Sequence, residues 1–140
     1  MGSRLWTWLL FVPVIGLWWA SLSQPALKAP AGGSFQYSGL NCLLLGWIGA
    51  FGKPLWVLPW SANVLYWMSL VSSVFRRQSG RNVLIWSLAA IPLALLAIAN
   101  RTIEMNEGGD KTAVVPGLGF YLWLGSMVSL AAAVLVRRTF

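Results

Sequence analysis

Four stretches of this chain run long without a single charged side chain. They are Leu5 to Leu22, Leu55 to Phe75, Val83 to Ala99, and a segment between Ala113 and Val136 that begins near Pro116. A helix needs about 20 apolar residues, with a range of roughly 17–25, to cross the hydrocarbon of a bilayer. All four runs fit, the third close to the short limit. The chain has 140 residues, of which 58% are hydrophobic and 9% charged. Soluble domains are about 25% charged, and a chain this small has too little interior to hide so much apolar surface. The expected solvent is therefore lipid. Continuous rather than alternating apolarity points to helices, not to a barrel. The expected fold is all-α: an integral membrane four-helix bundle forming one transmembrane domain over residues 1–140, with spans at about 5–22, 55–75, 83–99 and 116–136.

The first run also has the marks of a signal peptide, with Arg4 at its start and the small residues Ala20, Ser21 and Ser23 near its end. The bulky Trp18 and Trp19 stand where cleavage would occur, so the run is expected to stay as a span. Ten Lys and Arg against three acids give a net charge of +7. These basic residues flank the apolar runs, so the positive-inside rule accounts for them, and no nucleic-acid partner is expected. Arg4, Arg76, Arg77, Arg81, Arg137 and Arg138 fall on one side of the expected bundle. Lys28, Lys53, Arg101 and Lys111 fall on the other, together with Glu104, Glu107 and Asp110. Both termini and the 75–82 turn are accordingly expected in the cytoplasm.

The segment Leu40 to Phe51 is apolar, but at about 18 Å as a helix it is too short to span. It reads as a short interfacial or re-entrant helix on the outer side, with Trp47, Trp56 and Trp60 around it at the depth Trp prefers. The alternative joins it to the next run as one bent helix broken at Pro54 and Pro59. Ser23 to Ser38, with Pro25, Pro30, Gly32 and Gly33, reads as irregular coil. Asn100 to Thr112 reads as a polar outer loop.

Helices in lipid associate where small residues let their backbones approach. Ser87, Ala90, Ala94 and Ala97 recur along one face of the third run, and Gly125, Ser129 and Ala133 along the fourth. Gly16 and Ala20 do so in the first, and Ser69 and Ser73 mark the second. Pro13 and Pro92, inside spans, each remove a backbone hydrogen bond and should kink their helices; Pro116 belongs to a first turn, where proline does no harm.

Few residues carry chemistry. The absence of His removes the usual base and metal ligand, and a lone Cys42 among leucines reads as a small buried hydrophobe. No ionisable group lies within a span, where proton-coupled transporters place theirs. Glu104, Glu107 and Asp110, three residues apart, read as a solvated loop that Arg101 and Lys111 can neutralise. No metal site, catalytic residue or cofactor is expected. Asn63 and Tyr66 share a helix face within the second span. An intramembrane Asn needs a partner, commonly on another helix. The functional alternative is a groove near the outer surface walled by Trp47, Trp56, Trp60, Asn63 and Tyr66, taking a lipid or a small ligand.

The stretches Cys42–Gly49, Pro59–Asn63 and Gly117–Leu124 together resemble small, uncharacterised four-span inner-membrane proteins of Gram-negative bacteria. The resemblance runs in order over most of Leu40 to Val136. It implies a bacterial inner-membrane location and carries no activity that could be transferred to a residue. The expected role is that of a non-enzymatic accessory or scaffold subunit, contacting the bilayer and a membrane-protein partner or a second copy. The alternative is binding or transport of a small solute or lipid at the Trp-rich groove.

Overall fold

The computed structural model describes residues 8–30, 33–51, 57–75, 80–99, 102–104 and 111–139. These are mostly helical. Helix α1 covers Phe11–Ser23, α2 Gly39–Leu45, α3 Val57–Phe75, α4 Gly80–Leu95 and α5 Leu118–Thr139. Single 3₁₀ segments extend α2 over Gly46–Phe51 and α4 over Leu96–Ala99. Two helical stretches, Gly80–Ala99 and Leu118–Arg138, are long and apolar enough to cross a membrane, which favours a membrane protein.

Pro116 ends a short strand rather than opening the last helix, which starts at Leu118. Pro13 and Pro92 each lie near a local irregularity of the helix. Pro13 has no N–H to give the carbonyl of Leu9, and the helical path breaks into a turn at Leu10. Leu10 keeps helical backbone angles, so the break is a local fault in a continuing helix. Pro92 lies inside α4, and the last turn beyond it tightens to 3₁₀. The expected short helix at 40–51 is α2 with its 3₁₀ extension; Ser38 caps it, its Oγ accepting from the Asn41 N–H at 3.2 Å.

Helix α5 is the centre of the packing. It lies against α1 on one side and α4 on the other, and α4 in turn packs along α3. The buried positions follow the helical repeat: Phe11, Val14, Trp18 and Ser21 on α1, and Val83, Ser87, Ala90 and Ala94 on α4. The α4 stripe is nearly all small, so α4 can come close to its neighbours. The expected packing residues Ser87, Ala90, Ala94 and Ala133 are buried, while Gly125 and Ser129 are half-buried. A Cβ on Gly125 would meet only the end of Leu17, at 4.0 Å.

The described part of residues 23–38 is not irregular coil throughout. Two strands form there, β1 (Pro25–Lys28) and β2 (Gln36–Ser38), and a third, β5 (Val115–Pro116), joins them in an antiparallel sheet of order β2–β1–β5. Leu27 pairs with both Tyr37 and Pro116, so the sheet ties the exit of α1 to the entry of α5. The expected polar loop after α4 likewise holds two strands, β3 (Thr102–Glu104) and β4 (Lys111–Ala113), paired antiparallel.

Three glycines fix this junction. The Gly39 N–H donates to the Gln24 carbonyl at 3.0 Å and the Gly117 N–H to the Ala26 carbonyl at 2.9 Å. The first bond gives a donor to the carbonyl of the residue that caps α1, and the second extends the pairing of β1. A Cβ on Gly39 would run into the Ser21 carbonyl, and one on Gly117 into that of Pro25; on Gly119 it would lie 2.6 Å from the Gln24 oxygen. Backbone cannot retreat from these contacts as a flexible side chain can. Gly117→Ala and Gly119→Ala are each expected to cost about 1–3 kcal/mol by overpacking. Gly16→Ala, with open space around it, should gain about 0.5–1 kcal/mol in helix stability. Unfolding of the detergent-solubilised variants by heat or denaturant checks the opposite signs.

Candidate functional site

The polar groups expected in the second span lie on the inner face of α3, where its hydrogen bonds to other helices are made. Asn63 is buried. Its Oδ1 accepts from the Trp123 indole N–H on α5 at 2.8 Å, and its Nδ2 donates to the Trp60 carbonyl at 3.1 Å. One side chain therefore satisfies an α5 indole and its own preceding turn. Tyr66, one turn on, is 0% exposed, and its hydroxyl donates to the Val14 carbonyl of α1 at 3.1 Å. Further along, Ser69 donates to the Val83 carbonyl of α4 at 3.1 Å. In this way α3 reaches α5, α1 and α4 through three successive polar residues on one face.

The side of the bundle between α1 and α3 shows no backbone approach comparable to the other three. Aromatic rings bridge it. Trp18 stacks on Tyr66 with centroids 6.4 Å apart and planes at 10°, and meets Trp67 edge-to-face at 4.9 Å. Trp19, edge-to-face with Trp18 at 5.8 Å, faces outward and is 64% exposed. The Trp18 indole N–H is buried and has no hydrogen-bond partner among the described residues.

The expected Trp-rich groove is thus gathered only in part. Trp60 is half-buried and donates to the Leu43 carbonyl of α2 at 2.8 Å. Its ring lies so close to Gly46 that a Cβ there would come within 2.8 Å of Trp60 Cδ1. This anchors α2 to α3. Trp47 is exposed on the 3₁₀ extension. Trp56 lies outside the described residues, as do Glu107 and Asp110. Asn63 and Tyr66 direct their polar atoms to protein groups, so the pair ties helices together. Trp123 and Trp18, which complete the arrangement, carried no sequence signal: both sit in runs that read as uniformly apolar.

Most serines of the helices bond back to their own preceding turn. Ser21 reaches the Trp18 carbonyl at 2.6 Å, Ser61 that of Leu58 at 2.6 Å, Ser87 that of Leu84 at 2.9 Å and Ser126 that of Trp123 at 2.6 Å. Hydroxyls satisfied this way need no water and no partner helix. Cys42, in α2, is half-buried, and burial pushes its thiol up to about 11. Among the described residues no cluster of three or more His, Cys, Asp or Glu could hold a metal ion. Compared with protein-family models, with curated proteins and with solved structures, the chain matches none.

Two outcomes test this geometry. Asn63→Leu strands the Trp123 indole and should cost about 1–3 kcal/mol, more than the roughly 1 kcal/mol expected for Tyr66→Phe; denaturant titration of both variants measures the order. Cys42 should resist maleimide at neutral pH because the neutral thiol persists. Its labelling rate should climb about tenfold per pH unit up to about pH 10 and level off only near its raised value of about 11, whereas an ordinary thiol already levels off near its pKa of about 8.5.

Proposed function

We propose that this chain is a four-span helical protein of a bacterial inner membrane, serving as an accessory or scaffold subunit whose contact surface is the outer face of α1. The reading rests on one observation. Gly16 and Ala20 stand one turn apart on α1, both exposed, and nothing lies within 4 Å of the position a Gly16 Cβ would take. The small stripe of α4 is spent inside the bundle, but this one is open. Val12 and Trp19 flank it and are also exposed. A small-residue face bordered by large apolar side chains is the surface that lets a second helix approach closely in lipid.

The outward faces of the other helices support a lipid surround. Val64, Met68 and Val71 on α3, Ile85 and Leu88 on α4, and Val128 and Leu135 on α5 are all exposed. Apolar exposure on this scale marks an interaction surface rather than one that faces water. At 19 residues, α3 is about 28 Å long. Its serines and Asn63 lower its apolarity, yet Asn63, Ser69 and Ser73 are buried, which leaves its apolar side for lipid. Helix α1, with the helical turn before it, makes the remaining span. In this orientation Arg137 and Arg138 lie on the cytoplasmic side, and the β-strands and α2 lie outside.

A second reading, binding of a lipid or small solute, is favoured at one place: the α1–α3 seam, where Trp19 and Trp67 are exposed beside the unpartnered Trp18 indole.

Site-specific photo-cross-linking in native membranes tests the first reading. A cross-linking amino acid at position 16 should give a discrete protein adduct that Ala20→Ile abolishes, and the same probe at the lipid-facing position 88 should give none. An adduct of twice the chain mass identifies a second copy as partner. Labelling of lipid alone at position 16, or equal adducts at both positions, would overturn the proposal.

A further inference from the structure

At the end of the bundle opposite the β-strands, α3 and α5 finish and α4 begins. Between these ends lies a pocket of about 180 Å³, with Ser72, Ser73, Gly80, Val83, Arg137 and Arg138 in its wall. A water occupies about 30 Å³ of the liquid, so a tetrahedral oxyanion fits with room to spare.

The wall is built for negative charge. Arg137 donates to the Ser73 carbonyl, which joins the last turn of α5 to that of α3. It thereby answers the partial negative charge of the α3 carboxyl end. Arg138 lies over the first turn of α4: a Cβ on Gly80 would be 3.7 Å from its Cγ, Cδ and Nε. That first turn presents backbone N–H groups that a helix cannot satisfy itself, at the positive end of its dipole. Ser73 is only 4% exposed, and its hydroxyl has no hydrogen-bond partner among the described residues.

Among the described residues no acidic side chain lies at this end. Glu104 pairs in register with Lys111 across β3 and β4, beyond the far end of α4, and Glu107 and Asp110 lie between them in sequence. The intervening helix is about 30 Å long.

We propose that this pocket binds a phosphate group. The Arg138 guanidinium and the α4 N–H groups would hold its oxygens, and the Ser73 hydroxyl would turn to donate one further hydrogen bond. A planar guanidinium matches phosphate geometry, and basic pockets between helices on the cytoplasmic side take anionic headgroups. The phosphate can belong to a lipid or to a soluble molecule, and the test separates the two. The site does not depend on the docking face of α1.

The experiment uses the full chain in phospholipid-free detergent. Phosphatidylglycerol, phosphatidylcholine, inorganic phosphate, and chloride at matched ionic strength are added in turn. Bound lipid is read by native mass spectrometry and stability by the thermal midpoint. Wild type should retain phosphatidylglycerol over phosphatidylcholine. Arg138→Gln and Ser73→Ala should each weaken that retention by about three- to tenfold, the worth of one hydrogen bond. Ser73→Ala should leave the ligand-free midpoint unchanged, since the hydroxyl has no partner to lose. A midpoint raised by phosphate but not by chloride, and lost in the same variants, supports the site with a soluble source. Equal retention of the two lipids with no phosphate effect, or binding unaltered in both variants, overturns the proposal.

Discussion

The hydroxyl of Tyr66 must find an acceptor inside the bundle, and it finds the carbonyl of Val14 on α1. Much of the architecture depends on that bond. Three sides of the bundle close by direct approach of helices, through small residues such as Ala90, Ala94 and Ala133. The fourth side cannot, because Trp18, Tyr66 and Trp67 fill the space between α1 and α3 with rings. A phenol suits this position: it spans the gap with apolar area and ends in a donor that requires a partner once water is gone. The ring stack sets the spacing and the hydroxyl sets the depth at which α1 meets α3.

The same economy governs the rest of α3. Asn63, Tyr66 and Ser69 follow one another at three-residue steps along one face and address α5, α1 and α4 in turn. Facing outward, this many polar groups would interrupt the apolar side of the helix. Turned inward they become directional ties that fix how α3 meets its three neighbours.

Much of this was legible in the sequence because charge and helix length are local properties. The long uncharged runs located α3, α4 and α5 to within a few residues. Helix α4 begins at Gly80 rather than at Val83 because Arg81 and Asn82 interrupt the hydropathy but not the hydrogen bonding. The need of Asn63 for an interhelical partner was also legible; its choice of Trp123, far along the chain, was not. The strands were invisible for a related reason. β1, β2 and β5 are two to four residues long, too short to show alternation, and Pro25 and Pro116 sit within them. Their order comes from pairing partners and from glycines whose value lies in what approaches them. Gly16 and Gly125 look alike in sequence, one small residue every fourth position, yet one faces open space and the other Leu17.

The pairing of Leu27 with Pro116 has a consequence for the life of the chain. These residues are separated by most of the sequence, so this contact carries a large loop-closure entropy and cannot form until the last helix has been made. Until then the edge of β1 facing β5 is open, and the carbonyl of Ala26 lacks the Gly117 donor. The molecule therefore has a late, non-local latch: its first helix is held in final register only once synthesis has delivered its last. A copy truncated before α5 would present an unfinished strand edge, a feature by which quality control could tell an incomplete chain from a complete one.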